Sequence, residues 1–295
     1  MDNKKIIDVV LDTDAYNEID DQFAISYLLM SKEKLNTKAI YAAPFLNSRS
    51  VSPKDGMEKS YDEILKLLSL IGTKKEVYKG SENYLKDEKT PVVSDASLHL
   101  SKLAGEYSPT NPLYVVSIGA ITNVASAILL NPQNAKNMVI VWLGGHSYDY
   151  CDTKEFNMYQ DIAAARVVFS SSAYVVQLPC NGVVSEFRTT KYELEYWLKG
   201  KNKICDYLCE NTIHEAESYA LGKPWSRVIW DVTAVGYLLN ENDRFMLTRK
   251  QKTRLPEYDF YYSQKTLDKE MEYVYHINRD QLFEDMVKKL SLNKE

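Results

Sequence analysis

Apolar runs rich in β-branched residues alternate along the chain with segments in which apolar positions follow a helical spacing. The run "KIIDVVLD" precedes "DDQFAISYLLMS", and the run "TKAIYAAP" precedes "SPKDGMEKSYDEILKLLSLI". Continuous apolar runs of this length are typical of strands that are buried on both faces. A strand followed by a helix, repeated, indicates a parallel sheet with helices packed on both faces.

The alternation continues to the end of the chain. Further strands are predicted in "PLYVVSIG", "NMVIVWLGG", "AYVVQLP", "RFMLTRK" and "EMEYVYHIN", and further helices in "AITNVASAILLNP", "DIAAARVVFSSS", "YELEYWLKG", "KICDYLCENTIHEAESYAL", "WDVTAVGYLLN" and "DQLFEDMVKKLSL". No linker, low-complexity tract or internal repeat divides the sequence. We therefore expect one α/β domain over residues 1–295, with a mainly parallel, open, Rossmann-like sheet flanked by helices.

Composition and charge narrow the classes of partner. A length of 295 residues with 45% hydrophobic content supports a sizeable core. The net charge is -5, without a long basic tract, so we expect no nucleic acid and no anionic membrane as partner. No run approaches the ~20 apolar residues of a membrane span, and residues 1–14 lack the apolar region and cleavage site of a secretory signal. We expect a soluble, cytoplasmic protein that acts on a small molecule.

The cysteines indicate reduced thiols. There are four, without a CxxC pair, which is sparse for a disulfide scaffold of this length. Cys205 and Cys209 lie four positions apart on a predicted helix. We expect both to be buried and structural.

Five carboxylates gather directly after the first predicted strand: Asp12, Asp14, Glu18, Asp20 and Asp21. In a low-dielectric cleft these groups would repel one another, and such clusters usually raise their pKa values or bind a cation. Ligand sites in open α/β sheets lie beyond the carboxyl ends of the strands. We expect residues 44–47, 118–119 and 144–145, which follow later strands, to face the same crevice.

A hard cation such as Ca²⁺ suits the acidic stretch, because Ca²⁺ takes six to eight oxygen ligands and accepts carboxylates. Asp14, Asp20 and Asp21 are the candidates. An EF-hand is excluded, because the stretch lacks the required glycine and bidentate glutamate at positions six and twelve. The alternative is that Asp20 and Asp21 merely place negative charge at a helix N-terminus.

The tripeptide "DTD" also resembles the nucleophile loop of haloacid-dehalogenase-type phosphatases. In that interpretation Asp12 attacks phosphorus and Asp14 acts as acid and base. The downstream Ser or Thr, helix Lys and paired acidic motif of those enzymes are not found in the expected order.

Four motifs together resemble the inosine-uridine preferring nucleoside hydrolases. "DTDAYNEIDDQFAI" is similar to their DTDPGxDDxxAI, "GAITNVASAI" to GPLTNLALAL, "KEFNMYQDIAAARVVF" to AEFNxxxDPEAAxxVF, and "WDVTAVGYLL" to HDPLAVAYLL. The motifs occur in the family's order and at about its separations. The resemblance implies the nucleoside hydrolase fold and hydrolysis of the N-glycosidic bond of ribonucleosides to free base and ribose.

The resemblance also implies a Ca²⁺ site and no organic cofactor. Asp14 would bind Ca²⁺ and act as general base on the attacking water. Asp21 and Asp231 would be further carboxylate ligands, and the main-chain carbonyl of Ile118 would complete the protein ligands. Members of the family are usually dimers or tetramers, so a homodimer or homotetramer is implied.

Ribose contacts follow from the same alignment. Asp20, Asn157 and Glu155 match family positions that hydrogen-bond ribose hydroxyls. Asp149 stands where the family usually carries an Asn that faces the 5′-hydroxyl. An ionised aspartate accepts hydrogen bonds and donates none, so this contact differs from the family's.

Two loops depart from the family pattern. Five residues, "AYNEI", separate Asp14 from Asp20 where the signature has three, and Tyr16 and Asn17 are candidates to reach into the pocket. The second strand ends in "AAPFLNSRS" rather than an AGN-like turn. Asn47 is the candidate to replace the family's Asn, and residue 49 is a candidate pocket residue.

Trp230 is the third departure, because inosine-uridine members commonly carry there a His that protonates the leaving base. An indole cannot deliver a proton near pH 7. In purine-specific members a Trp at the matching place stacks on the base, so purine nucleosides are favoured. The alternatives are that Trp230 only fills the core, or that the protein is a catalytically weakened member that binds ribosyl compounds or Ca²⁺.

Overall fold

The structure is a computed structural model that describes residues 6–292. Residues 1–5 and 293–295 lie outside the described part. The first five residues of the segment 1–14, in which we expected no secretory signal, are among them. The helices are α1 Asp20–Met30, α2 Pro53–Ile71, α3 Asp95–Leu103, α4 Thr122–Leu130, α5 Phe156–Gln160, α6 Ile162–Ser170, α7 Lys191–Trp197, α8 Lys203–Ala220, α9 Val232–Leu238 and α10 Arg279–Ser291. The strands are β1 Ile7–Thr13, β2 Leu35–Ala42, β3 Val77–Lys79, β4 Leu113–Ser117, β5 Met138–Leu143, β6 Tyr174–Leu178, β7 Arg188–Thr189, β8 Arg227–Val228, β9 Met246–Pro256 and β10 Tyr262–Ile277.

One sheet of eight strands has the order β3-β2-β1-β4-β5-β6-β10-β9. All neighbouring strands pair in parallel except β9, which pairs antiparallel with β10 at one edge. The short strands β7 and β8 form a separate antiparallel pair. The prediction of a mainly parallel α/β sheet is confirmed, and the order β3-β2-β1-β4-β5-β6 is that of Rossmann-like folds.

Helices cover both faces of the sheet because successive residues of a strand point to opposite faces. Val9 and Leu11 of β1 pack into a core formed with helices α1, α2, α8, α9 and α10. Val10, between them, packs into a second core formed with α3, α4 and α6. The central strands are therefore buried on both sides, which explains why their sequences are continuously apolar.

The predicted elements are present, together with short ones that the pattern did not indicate. Strands β3, β7 and β8 have only two or three residues each, too few for a periodicity to be recognised. Cys205 and Cys209 are buried in α8, as expected. Within residues 6–292, no helix is both long and apolar enough to cross a membrane.

Asn123 joins the central strands to the loop after β3. Its Nδ2 donates to Oδ1 of Asp12 at 2.8 Å and to the carbonyl of Ala42 at 3.1 Å, and its Oδ1 accepts from the backbone N–H of Ser81 at 2.7 Å. All of these groups are buried. Asn123 therefore satisfies three polar groups that water does not reach.

Replacing this side chain is expected to destabilise the protein. Asn123→Ala leaves buried donors and acceptors unpaired, and each typically costs about 1–3 kcal/mol. Urea unfolding should show a loss of at least that size. The control is Asn36→Ala, which removes one exposed hydrogen bond to Asp8 and should change stability by less than about 0.5 kcal/mol. Equal losses in the two variants would contradict the role given to Asn123.

Candidate active site

The strand order reverses between β1 and β4, which run side by side while their following helices lie on opposite faces. A crevice forms at the carboxyl ends of strands at such a reversal. The loops after β1, β4, β5 and β6 meet there with the segment that precedes α9. They enclose a cavity of about 250 Å³.

Three carboxylates form a tight cluster at this cavity. Asp20 and Asp21 begin α1 and Asp231 immediately precedes α9, and one oxygen from each lies within 4.8 Å of the other two. All three are buried. Neither Asp20 nor Asp21 is the N-cap residue of α1, which is Ile19, but both lie in its first turn, so their negative charge also favours the helix N-terminus.

The cluster holds more negative charge than a buried site tolerates. Burial, followed by the charge of Asp20, raises the pKa of Asp21 well above its usual value, and the same two causes act on Asp231. Burial and the charge of Glu18 raise the pKa of Asp20 to about 7, although Arg227 opposes the shift. The contact between the two carboxyl groups lowers the pKa of Asp20 and raises that of Asp231, so the two groups do not ionise independently.

Asp14 lies next to the cluster, and both of its carboxylate oxygens are buried and have no hydrogen-bond partner within residues 6–292. Burial raises its pKa well above the usual value, and the charges of Asp21 and Asp20 raise it further. A Cβ on Gly119 would lie 3.1 Å from both Cγ and Oδ1 of Asp14. The carboxylate is therefore packed against the turn that carries Ile118 and Gly119, where a side chain at position 119 would crowd it.

These residues fit a hard cation. Buried polar atoms without partners are rare in proteins, and the Asp14 oxygens face a cluster whose mutual repulsion a positive charge would offset. The donors are all oxygens, as Ca²⁺ and Mg²⁺ prefer. The tight cluster contains Asp20 in addition to Asp21 and Asp231, whereas the family alignment assigns Asp20 to ribose.

The main-chain carbonyl of Ile118 lines the cavity close to Asn157. Nδ2 of Asn157 donates to that carbonyl at 3.2 Å and to the carbonyl of Leu143 at 3.0 Å. Asn157 thereby joins the ends of β4 and β5. Its position at the cavity agrees with a substrate contact, and the same side chain also holds two strand ends together.

Glu155 also lines the cavity, but its carboxylate is already well bonded. It accepts backbone N–H groups from Gly145 at 2.8 Å and from Asn157 and Met158, both at 2.9 Å. Burial nevertheless raises the pKa of Glu155. The side chain caps α5 and folds the loop that carries Asn157.

The longer loop between Asp14 and Asp20 is fixed by contacts with distant parts of the chain. Glu18 pairs with Arg227 at 2.7 Å, and Arg227 also pairs with Glu215 of α8 at 2.9 Å. Oδ1 of Asn17 accepts a hydrogen bond from Nδ2 of Asn47 at 2.6 Å. Both Asn17 and Glu18 line the cavity, so the longer loop forms part of the site.

Five candidate residues lie outside the cavity lining: the buried Asp14, Tyr16, Asn47, Arg49 and Asp149. Tyr16 is 40% exposed, because the loop turns its ring outward. Asn47 donates a hydrogen bond to the side chain of Asn17, and Arg49 pairs with Glu215 at 2.6 Å. Asp149 is exposed on the loop after β5. Direct substrate contacts by Tyr16, Asn47 and Asp149 therefore stay predictions.

Asp12 does not have the environment of a phosphatase nucleophile. Its Oδ1 accepts from Asn123 at 2.8 Å and its Oδ2 from Ser117 at 3.1 Å. Burial raises its pKa to about 7. Both oxygens are thus held inside the sheet rather than presented to the cavity.

Several lining residues were not among the candidates from the sequence: His146, Lys154, Phe156, Cys180 and Asn181. The glycines at 144 and 145 had marked a strand end at the crevice, which was a signal for His146. Asn181 and Cys180 follow β6 in the same way. A search of every strand end for polar residues would have found them.

The chain matches one enzyme class, the nucleoside hydrolases, in sequence and in fold. A model of the inosine-uridine preferring nucleoside hydrolase family matches residues 9–284. The chain belongs to this family, and it is a ribonucleoside N-glycosidase.

Individual relatives agree with the assignment. A probable uridine nucleosidase from Arabidopsis thaliana is 27% identical over 231 residues, which cover 71% of this chain and 69% of the relative. A purine-preferring ribonucleoside hydrolase from Gardnerella vaginalis superposes with a TM-score of 0.78 at 20% identity, over 97% of this chain and 98% of that one. An inosine-uridine preferring nucleoside hydrolase from Bacillus anthracis superposes with a TM-score of 0.74 at 16% identity, over 98% of this chain and 100% of that one. At these identities the two structures show that the fold is shared.

Proposed function

We propose that the protein hydrolyses the N-glycosidic bond of ribonucleosides in a Ca²⁺-dependent reaction and favours purine nucleosides. The observation that carries the proposal is the buried Asp14 carboxylate, which has no partner in the described part of the chain and lies beside three clustered carboxylates. A catalytic base needs a free acceptor near the reacting atoms. Ca²⁺ is the proposed ion because the available donors are carboxylates and a main-chain carbonyl.

The acidic residues of the site have two roles: one is the general base, and the others place negative charge around the ribose. Bound Ca²⁺ would supply positive charge that lowers the pKa of a nearby water and attracts ribose hydroxyl oxygens. Asp14 accepts the proton of the water that attacks C1′ from the face opposite the base. The negative charge of Asp20 and its neighbours stabilises the positive charge that develops on the sugar in the transition state.

Asp20, Glu155 and Asn157 are proposed to bind the ribose hydroxyls. All three side chains line the cavity that contains the acidic cluster. Burial of Glu155 and Asn157 in a fixed loop favours this role, because their orientation is set before the substrate arrives.

Trp230 supports the purine preference. Its side chain is partly buried, packs against the core and also lines the cavity, so core packing and base stacking are compatible. A large ring gains more from stacking on an indole than a small one. The Gardnerella vaginalis enzyme of the same fold is named as purine-preferring, whereas the Arabidopsis thaliana relative is named as a uridine nucleosidase.

A panel of inosine, adenosine, guanosine, uridine and cytidine tests the proposal through the release of ribose as reducing sugar. We expect turnover of at least the purine nucleosides. Trp230→Ala should lower kcat/KM for purine nucleosides by about 2- to 12-fold more than for uridine, which corresponds to about 0.5–1.5 kcal/mol of stacking. Equal losses on all five substrates, or a wild-type preference for uridine, would assign Trp230 to core packing alone.

A catalytically weakened member of the family is the second candidate. The absence of a His at position 230 favours it, because no proton donor for the leaving base stands there. Such a protein would bind ribosyl compounds in calorimetry and release no ribose from the panel.

A further inference from the structure

A buried histidine lies at the cavity without a role in the proposed mechanism. His146, 6% exposed, follows β5 and lines the cavity together with Asn181, which follows β6, and Trp230, which precedes α9. Three separate loops therefore bring an imidazole, an amide and an indole to one chamber. The same cavity also contains the clustered carboxylates.

The His146 ring is held in one orientation. The backbone N–H of Asn181 donates to Nδ1 at 3.3 Å, and the Tyr150 ring packs against the imidazole with centroids 4.5 Å apart. The main chain is held as well, because the Tyr262 hydroxyl donates to the His146 carbonyl at 3.0 Å. With Nδ1 as acceptor, the neutral imidazole carries its hydrogen on Nε2.

The charge state agrees with that tautomer. Burial lowers the pKa of His146, although Asp152 acts in the opposite direction. The imidazole is thus neutral near pH 7. It offers one N–H donor at Nε2, and the nearby Nδ2 of Asn181, at 3.5 Å, is itself a donor that cannot accept this hydrogen.

Departure of the base is faster when such a donor is present. When the bond between C1′ and the base nitrogen breaks, its electron pair passes to the base and spreads over the other ring nitrogens. Water oxygen bonds to C1′, Asp14 takes the water proton, and the base gains its proton from solvent. A hydrogen bond to an acceptor that becomes negative strengthens as the charge develops.

We infer that His146 donates a hydrogen bond from Nε2 to a ring nitrogen of the departing base. It would thereby assist the leaving group, which Trp230 cannot protonate. The inference rests on the proposed function, which it extends to the leaving group. It is based on the position of a fixed, neutral imidazole in the cavity that Trp230 also lines.

Neighbouring groups suit the role less well. Lys154 is an exposed side chain whose Nζ lies 5.8 Å from the centroid of the Phe260 ring. The Cys180 thiol is buried and bonded to Glu155, and burial raises its pKa. Asn181 offers an amide, but its backbone N–H orients His146, so we assign it a positioning role.

The experiment compares two substrates whose leaving groups differ in their need for help. Inosine releases a base that gains from a hydrogen bond, whereas p-nitrophenyl β-D-ribofuranoside releases an anion that is stable by itself. His146→Ala should lower kcat/KM for inosine by about 10- to 100-fold, the size expected for a hydrogen bond to a charged acceptor. The same variant should keep hydrolysis of the p-nitrophenyl substrate within about threefold.

Two further variants complete the test. His146→Gln retains an N–H donor and should recover part of the inosine activity, and His276→Ala, at an exposed histidine, should match the wild type on both substrates. Equal losses on the two substrates in His146→Ala, or an unchanged rate with inosine, would overturn the inference while the proposed function stands. A wild-type protein that hydrolyses neither substrate would overturn the proposed function and the inference with it.

Discussion

Asp14→Asn is expected to retain the fold and to lose about 10²–10⁴-fold in kcat, the usual cost of removing a general base. An amide has nearly the same shape as the carboxylate, yet it cannot accept the proton of the attacking water. The replacement also removes one negative charge from a buried cluster in which burial and like charges raise the pKa of Asp14. The metal-free variant should therefore be at least as stable as the metal-free wild type.

The measurement combines steady-state hydrolysis of the best nucleoside with thermal unfolding. Asp12→Asn is the matched control, since Asp12 lies two residues earlier on β1 with both oxygens bonded inside the sheet. It should retain nucleoside hydrolysis. A near wild-type kcat in Asp14→Asn would remove Asp14 from the mechanism.

Removal of divalent ions is expected to abolish hydrolysis and to lower the melting temperature, with both restored by Ca²⁺. The three clustered carboxylates and Asp14 repel one another when no cation is present. A ligand that binds only the folded state at about 100 times its Kd adds about 2.7 kcal/mol to stability. For a protein of this size that corresponds to a rise of several degrees.

Calorimetry on chelator-treated protein measures the binding directly. Asp231→Ala should weaken Ca²⁺ binding and lose the thermal response, because it removes one of the clustered carboxylates. Asp268→Ala is the control, because Asp268 is fully exposed and pairs with Lys252 at 2.7 Å. If chelator-treated wild type takes up no divalent ion, the metal site does not exist and the four carboxylates need another explanation.

The sequence by itself determined the architecture and the chemical identity of the site. Strands such as β1 are apolar on both faces and each is followed by an amphipathic or buried helix, so the parallel sheet follows from local pattern. Polar residues that directly follow the predicted strands indicated where the crevice lies. Asp14, Asp20 and Asp21 lie within one short stretch, and a motif of that length can be recognised without knowing the fold.

Only the tertiary structure decided which side chains reach the cavity. Arg227 fixes the loop that carries Glu18 across 209 positions of the chain, and Asn181 orients His146 from the next strand across 35. Local sequence contains no signal for such pairings, because the position of a loop depends on the residues that pack against it. Tyr16 therefore faces solvent although it lies beside Asn17, whereas His146 is buried at the cavity because two loops distant in sequence meet there.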